Sequence, residues 1–138
     1  IDPVVIIMIT SRNNEKCLLG RSHDYPDKII SPLAGFMEPG ESIEDTINRE
    51  MREEVGLVCT DIRFWGNQPW PFPSSLMLGC FATAEKDQLT VNKDELVFAD
   101  WFTREQLEEV FRNPDGDKIF PQSISIAYHM MRAWLKDV

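Results

Sequence analysis

Three carboxylates near the middle of the chain have a spacing that could bind a divalent cation. Glu50, Glu53 and Glu54 stand at positions i, i+3 and i+4, so on a helix of about 3.6 residues per turn they share one narrow face. Three neighbouring carboxylates repel one another, and a solvated helix gains nothing from that arrangement. A hard cation such as Mg²⁺ prefers oxygen ligands and bridges to phosphate oxygens, so it would turn the repulsion into attraction. An ordinary solvated acidic face is the alternative explanation of the same three residues.

The residues around these carboxylates predict the helix that must position them. Ser42 followed three residues later by Asp45 is the pattern of a capping box, which begins a helix, and Gly56 supplies a left-handed C-terminal stop. Apolar side chains recur every four residues beside the acidic face, and they are Ile43, Ile47, Met51 and Val55. Because such a stripe packs a helix onto a core, we expect one edge of this helix to pack and the other to hold metal.

Composition limits the function classes. The 138 residues suit one domain spanning 1–138. There are 23 acidic against 14 basic residues, a net charge of −9, which repels nucleic acid backbones, so a phosphate substrate would need local neutralisation by metal. The cysteines are Cys17, Cys59 and Cys80, an odd and widely spaced set that predicts free core thiols in an intracellular, most simply cytoplasmic, compartment. No run of about 20 apolar residues predicts a membrane span.

Short apolar runs separated by turn residues predict a sheet on which the acidic helix packs. The continuous β-branched run at residues 4–10 predicts a strand buried on both faces, in a hairpin with a strand at residues 16–21. Further strands are expected at the end of residues 29–36 and at 58–65, 76–84 and 98–102. Thr103 and Gln106 form a second capping-box pattern that begins a helix over residues 103–112. A last helix is expected over residues 123–136, packing through Ile124, Ala127, Met131 and Trp134. These elements predict an α/β sandwich with a mixed central sheet between the acidic helix and the C-terminal helix.

A second stretch with possible chemical function is QPWPFPSS at residues 68–75. Its three alternate prolines fix φ near about −65° and remove three backbone donors, which excludes a central strand and favours polyproline II. Such a segment can hold Trp70 and Phe72 as fixed walls of a pocket. Because proline–aromatic segments also dock partners or cover sheet edges, these residues alone leave both interpretations open.

Residues 35–57 together resemble the Nudix box. The match consists of Gly35, five residues, Glu41, seven residues, residues 49–51 (REM), one residue, residues 53–54 (EE), one residue, and residues 56–57 (GL). The resemblance implies a Nudix hydrolase, which cleaves a nucleoside diphosphate linked to another group X. It also implies a Nudix-type α/β/α sandwich and the use of two or three Mg²⁺ or Mn²⁺ ions.

The proline–aromatic stretch, a short distance after the box, resembles the mark of the NAD(H) diphosphatase (NADH pyrophosphatase) branch, with Asn67 where that branch usually has Ser. The branch splits NAD(H) into NMN(H) and AMP, and some members remove NAD caps from RNA. The resemblance implies a set of residues that line the dinucleotide pocket, namely Gln68, Pro69, Trp70, Pro71, Phe72, Pro73, Ser74, Ser75 and, in the PQSISIA segment, Ala127. Phe36 is either a platform on which a ring stacks or a core aromatic.

The resemblance also implies the metal cage and the catalytic residues. The predicted ligands are the Ala34 carbonyl and the carboxylates of Glu50, Glu53, Glu54 and Glu95, with Asp94 as the alternative to Glu95. One carboxylate must accept a proton from the attacking water, and Glu53 and Glu54 are the candidates. Arg49 is expected to orient Glu50 through a bidentate pair, and Glu41 to tether the junction between loop and helix.

Other functions compete with this one. A Nudix hydrolase of ADP-ribose or another nucleoside diphosphate derivative would keep the box without needing QPWPFPSS. A non-catalytic dinucleotide-sensing module would be expected to have lost a box carboxylate, and none is lost here. The branch carries an upstream domain and a zinc ribbon, and its members pair as homodimers. We therefore expect a fragment without a zinc site that forms a homodimer, with NAD(H) or NAD-capped RNA as its substrate.

Overall fold

The fold is built on one mixed six-stranded sheet. The computed structural model describes residues 1–25, 28–71, 74–122 and 124–137. Its strands are β1 (Asp2–Thr10), β2 (Lys16–Ser22), β3 (Leu33–Phe36), β4 (Cys59–Trp70), β5 (Ser75–Ala84) and β6 (Leu96–Thr103). They lie in the order β4-β5-β1-β2-β6, with β3 pairing β1 beside that path. β1 and β5 are parallel, whereas the other pairs are antiparallel.

Helices cover both faces of this sheet, so the predicted sandwich is confirmed. The helices are α1 (Ile43–Val55), α2 (Arg104–Arg112) and α3 (Ile126–Lys136). Alternate residues of β1 point to opposite faces, and its continuous apolar run fills two cores. On one face Val5, Ile7 and Ile9 share a core with the buried side of α1. On the other face Ile6 and Met8 share a core with α2 and α3.

Helix α1 begins and ends as predicted. The Ser42 hydroxyl accepts from the Asp45 amide and the Asp45 carboxylate accepts from the Ser42 amide, both at 3.1 Å. Gly56 ends the helix with φ 70°, in the left-handed region. Ile47, Met51 and Val55 are fully buried. The helix is therefore fixed at both ends and along one side, which leaves its acidic face on the opposite edge free to line a cavity.

The predicted course of residues 58–75 is partly wrong. β4 runs on to Trp70 rather than ending at Trp65, and residues 68–70 are paired strand, not polyproline II, because Pro69 pairs with Leu76 and Trp70 with Ser75. Pro69 is tolerated in β4 because this strand lies at the sheet edge, where the position of a missing donor can face solvent. The pairing of β4 with β5 shifts register between Phe64 and Gly66. Phe72 and Pro73 lie outside the described residues.

The last helix begins three residues later than predicted. α3 starts at Ile126 because Ser125 is its N-cap and accepts from the Tyr128 amide at 3.3 Å. Ile124 precedes the helix and is 61% exposed, so its predicted packing role is wrong. Ala127, Met131 and Trp134 are buried as expected. The three cysteines are buried free thiols. Among the described residues, every helix is too short or too polar to cross a membrane.

Candidate active site

The carboxylate of Glu50 lies directly against the backbone of β3. A Cβ atom placed on Gly35 would lie 2.4 to 2.8 Å from three side-chain atoms of Glu50, closer than real Cβ contacts. A side chain at this position would displace Glu50 from where it lies, so glycine leaves the space that the Glu50 side chain occupies. β3 and α1 thus meet at one point, and Ala34, whose carbonyl is the predicted ligand, lines the same cavity as Glu50.

Arg49 organises the turn that leads into α1. Its guanidinium makes a bidentate pair with Glu41 (Nε to Oε2 2.7 Å, Nη2 to Oε1 2.8 Å), one bond to Glu50 Oε1 at 2.8 Å and one to the Phe36 carbonyl at 3.0 Å. The predicted bidentate partner, Glu50, is therefore wrong: Glu41 has that role, because it lies in line with the guanidinium fork. Hydrogen bonding to Arg49 lowers the pKa of Glu41 to about 2.

Glu54 is the most unusual carboxylate of the site. Its Oε2 is buried and has no hydrogen-bond partner. Burial, followed by repulsion from Glu50, Glu95 and Glu53, raises the pKa of Glu54 to about 8. Burial also raises the pKa of Glu50, against the lowering effect of Arg49. The side chain of Glu53 is 60% exposed and lies 3.8 Å from Arg49, so it stands at the outer edge of the group.

Glu95 joins these carboxylates from a distant part of the chain. The segment between β5 and β6 is bound to the end of α1: the Thr90 amide donates to the Val55 carbonyl at 2.9 Å and the Asn92 amide to the Glu54 carbonyl at 2.8 Å. Glu95 is thereby close enough to raise the pKa of Glu54. The alternative residue Asp94 does not line the cavity that Glu50, Glu54 and Glu95 line.

Two adjoining cavities lie along this surface. The acidic half, of about 470 Å³, is lined by Glu50, Glu54 and Glu95 together with Ala34, Gly35 and Phe36. The apolar half, of about 430 Å³, is lined by Gln68, Trp70, Ile126 and Ala127. The two halves share five residues, which are Tyr25, Ser31, Pro32, Ala34 and Met77. One continuous cleft therefore joins a strongly acidic end to an apolar end.

The acidic half fits a divalent cation, although its side chains are not gathered as ligands. Within the described ranges, no three His, Cys, Asp or Glu side chains stand so that they could hold an ion as they are. The backbone nevertheless brings Glu50, Glu54 and Glu95 to one cavity, and the unpartnered buried oxygen of Glu54 is a group that a cation would satisfy.

Gln68 lines the apolar half and also fixes its wall. The Gln68 amide nitrogen donates to the Ile124 carbonyl at 2.6 Å, and its oxygen accepts from the Ile126 amide at 2.8 Å. The side chain therefore connects β4 to the segment that begins α3. Since both amide atoms already have protein partners, Gln68 shapes the wall that carries Ala127.

Some of the other predicted substrate residues line the cleft and some do not. Trp70 and Ala127 line the apolar half, and Phe36, which is 60% exposed, lines the acidic half, so it is not a core aromatic. Pro69, Pro71, Ser74 and Ser75 line neither half. Sequence reasoning missed Tyr25, Pro32 and Met77, which line both halves; only the turn residues around Tyr25 hinted at a surface loop.

Comparison with known proteins gives a consistent result. The NUDIX domain family model matches residues 2–123. The chain is 42% identical over 137 residues to the NAD-capped RNA hydrolase NUDT12 of Homo sapiens, covering 99% of this chain and 30% of that protein. It is 38% identical over 141 residues to the NAD-capped RNA hydrolase NudC of Mycobacterium bovis, covering 97% of this chain and 45% of that protein. The chain thus spans less than half the length of these relatives.

Solved structures support the fold. A structure from a study of MutT of Aliivibrio salmonicida and Vibrio cholerae has a TM-score of 0.74 at 16% identity, covering 99% of this chain and 98% of that one. A NUDIX family hydrolase from Clostridium perfringens has a TM-score of 0.71 at 18% identity, covering 96% and 95%. The match of the family model over most of the chain, with 42% and 38% identity to two NAD-capped RNA hydrolases, shows that this chain belongs to the NUDIX domain family.

Proposed function

We propose that this domain hydrolyses the pyrophosphate of NAD(H), producing NMN(H) and AMP. The observation that carries the proposal is the continuous cleft, in which the carboxylate-lined half adjoins an apolar half with Trp70 and Ala127 in its wall. A dinucleotide has a charged pyrophosphate between two rings. The acidic half suits the metal-bound pyrophosphate, and the apolar half suits one ring.

The metal ligands belong to the proposal. Glu50, Glu53, Glu54 and Glu95, with the Ala34 carbonyl, would hold two or three Mg²⁺ or Mn²⁺ ions. When bound, such ions neutralise phosphate oxygens and lower the pKa of a bound water. Arg49 keeps Glu50 turned toward the cavity through the 2.8 Å bond to Oε1, and its own position is fixed by Glu41.

We propose Glu54 rather than Glu53 as the general base. A base must reach the proton it removes. Glu54 lines the cavity and has a buried oxygen without a partner, whereas Glu53 is 60% exposed beside Arg49. On the substrate side, the exposed ring of Phe36 offers a stacking platform at the edge of the acidic half.

NAD-capped RNA is a second candidate substrate, supported by the 42% and 38% identity to NAD-capped RNA hydrolases. The capped end presents the same pyrophosphate, so the same residues would act on it. The net charge of −9 predicts that contacts beyond the cap add little affinity. This candidate is tested by the hydrolysis rates of the NAD-capped and triphosphate-ended forms of one short RNA, compared at two salt concentrations.

The deciding experiment offers NADH, ADP-ribose and 8-oxo-dGTP side by side with Mg²⁺ or Mn²⁺ and identifies the products. Fastest release of NMNH and AMP from NADH supports the proposal. Preference for ADP-ribose would keep the hydrolase but reject the substrate, and no turnover with intact metal binding would favour a dinucleotide-sensing module. Sedimentation velocity and metal stoichiometry on the same sample test the proposed homodimer and ion number.

A further inference from the structure

The turn that carries Glu95 leads directly into β6, where Leu96 pairs with Ser22 of β2, and it is also held by hydrogen bonds to α1 and to the residue that follows β2. On one side the Asn92 amide donates to the Glu54 carbonyl at 2.8 Å. Within the turn, the Asn92 carbonyl accepts from the Glu95 amide at 3.1 Å, and its side-chain oxygen accepts from the Asp94 amide at 3.1 Å. Asn92 thus shapes the turn and attaches it to α1. The remaining attachment comes from a different element.

That second attachment is His23, the residue that follows β2. Its Nε2 lies 2.7 Å from the Lys93 carbonyl, across 70 residues of sequence. A carbonyl oxygen only accepts, so Nε2 must carry the proton and donate. The residues on either side of His23 (Ser22, Asp24 and Tyr25) line the acidic half. The bond therefore connects the wall of the cavity to the turn that brings Glu95 into it.

The hydrogen bond between His23 and Lys93 opposes electrostatic repulsion among the carboxylates. Glu50, Glu54 and Glu95 line one cavity, and like charges this close to one another repel when no cation lies between them. The repulsion acts to move the turn away from α1, because residues 92–95 precede the paired residues of β6 whereas the helix is packed on the core. A hydrogen bond that opposes this movement keeps the carboxylate in place before a cation arrives.

We propose that His23 is a positioning residue for Glu95, which preorganises the acidic half for metal by holding the turn at Lys93. The inference rests on the metal-dependent function proposed above, but it concerns metal affinity rather than the identity of the substrate. His23 itself touches the backbone of the turn and not the cation.

The first test titrates the protein with Mn²⁺ alone and measures the thermal unfolding temperature at each Mn²⁺ concentration. His23→Ala should raise the Mn²⁺ concentration at half-maximal stabilisation about threefold to tenfold, the effect expected of one hydrogen bond. With NADH at saturating Mn²⁺, its kcat should change less than about twofold. His23→Gln can still donate from its amide nitrogen and should restore most of the affinity. His129→Ala is the matched control, because it removes the other histidine of the chain, which lies on the exposed side of α3. It should leave the Mn²⁺ concentration at half-maximal stabilisation unchanged.

The second test combines His23→Ala with Glu95→Ala. If His23 acts through Glu95, the double variant should bind Mn²⁺ no more weakly than Glu95→Ala alone. An equal loss in both backgrounds would overturn the proposal, as would a raised KM for NADH with an unchanged Mn²⁺ midpoint, which indicates direct substrate contact. The titration contains no substrate, so failure of NADH hydrolysis would reject the proposed function and leave this inference standing.

Discussion

The two halves of the cleft are stabilised in opposite ways. In the acidic half, Glu50, Glu54 and Glu95 repel one another, and hydrogen bonds from Arg49 and from the 85–95 segment hold their positions. In the apolar half, the wall is uncharged and Gln68 satisfies two backbone groups at the start of α3. The proposed binding of a cation would therefore stabilise the acidic half, whereas the polar groups of Gln68 in the apolar half already have partners. Metal dependence and substrate selectivity should consequently respond to different substitutions.

The largest effect is expected from Glu54→Gln. Loss of the proposed base and metal ligand should lower kcat by about two to four orders of magnitude, while the circular dichroism spectrum stays unchanged because Gln fills the same space. Steady-state kinetics with NADH measure the loss. Glu109→Gln, an exposed glutamate on α2, is the control. Activity near that of the parent would remove Glu54 from the metal site.

A smaller effect is expected from Gly35→Ala. The added Cβ would lie 2.4 Å from Glu50 Cδ, so the flexible Glu50 side chain must move while the backbone stays. We expect kcat/KM to fall about 10- to 100-fold, as for other disturbed ligand supports, together with weaker Mn²⁺ binding in the titration.

Gly66→Ala is the matched control for that substitution. A Cβ on Gly66 meets nothing within 4 Å, and Gly66 lies in β4 away from the carboxylates. Equal losses in both glycine variants would show that backbone freedom, and not the space for Glu50, explains Gly35.

A substitution in the apolar half should weaken substrate binding and leave metal binding unchanged. Gln68→Glu keeps the acceptor for the Ile126 amide but places a carboxylate oxygen against the Ile124 carbonyl, which cannot donate. We expect the wall at Ala127 to shift and KM for NADH to rise about threefold to tenfold. The Mn²⁺ midpoint should not change. If the midpoint rises instead, the two halves are not independent.

The smallest effect is a pH dependence of stability in EDTA. Burial and neighbouring carboxylates raise the pKa of Glu54 from 4.5 to about 8, so the folded state binds this proton more tightly than the unfolded state. The stability from this group is full below about pH 4.5 and is lost as pH rises toward 8. Relative to Glu54→Gln, the parent Tm should therefore fall between pH 5 and pH 8. Saturating Mg²⁺ at pH 8 should raise the Tm of the parent more than that of the variant. A constant Tm difference would contradict this account.

The accuracy of the sequence predictions depends on how far apart in sequence the deciding residues lie. The caps and the apolar stripe of α1 were predicted correctly because each depends on residues one to four positions apart. The course of residues 68–70 was not, because a proline is tolerated in β4 only when that strand lies at the sheet edge. Arg49 was paired with Glu50, its neighbour, although the bidentate partner Glu41 lies eight residues away.

The sequence alone determined the spacing of Glu50, Glu53 and Glu54 on one helix face, since helical periodicity is a local property of the chain. It also determined the strand of β1, whose uninterrupted apolar run has to be buried on both faces. Only the tertiary structure decided that Gln68 binds the start of α3 and that His23 reaches Lys93. It likewise decided that Tyr25 and Met77 line both halves of the cleft. These contacts join distant parts of the chain, and packing of the sheet and its loops fixes them rather than any local pattern.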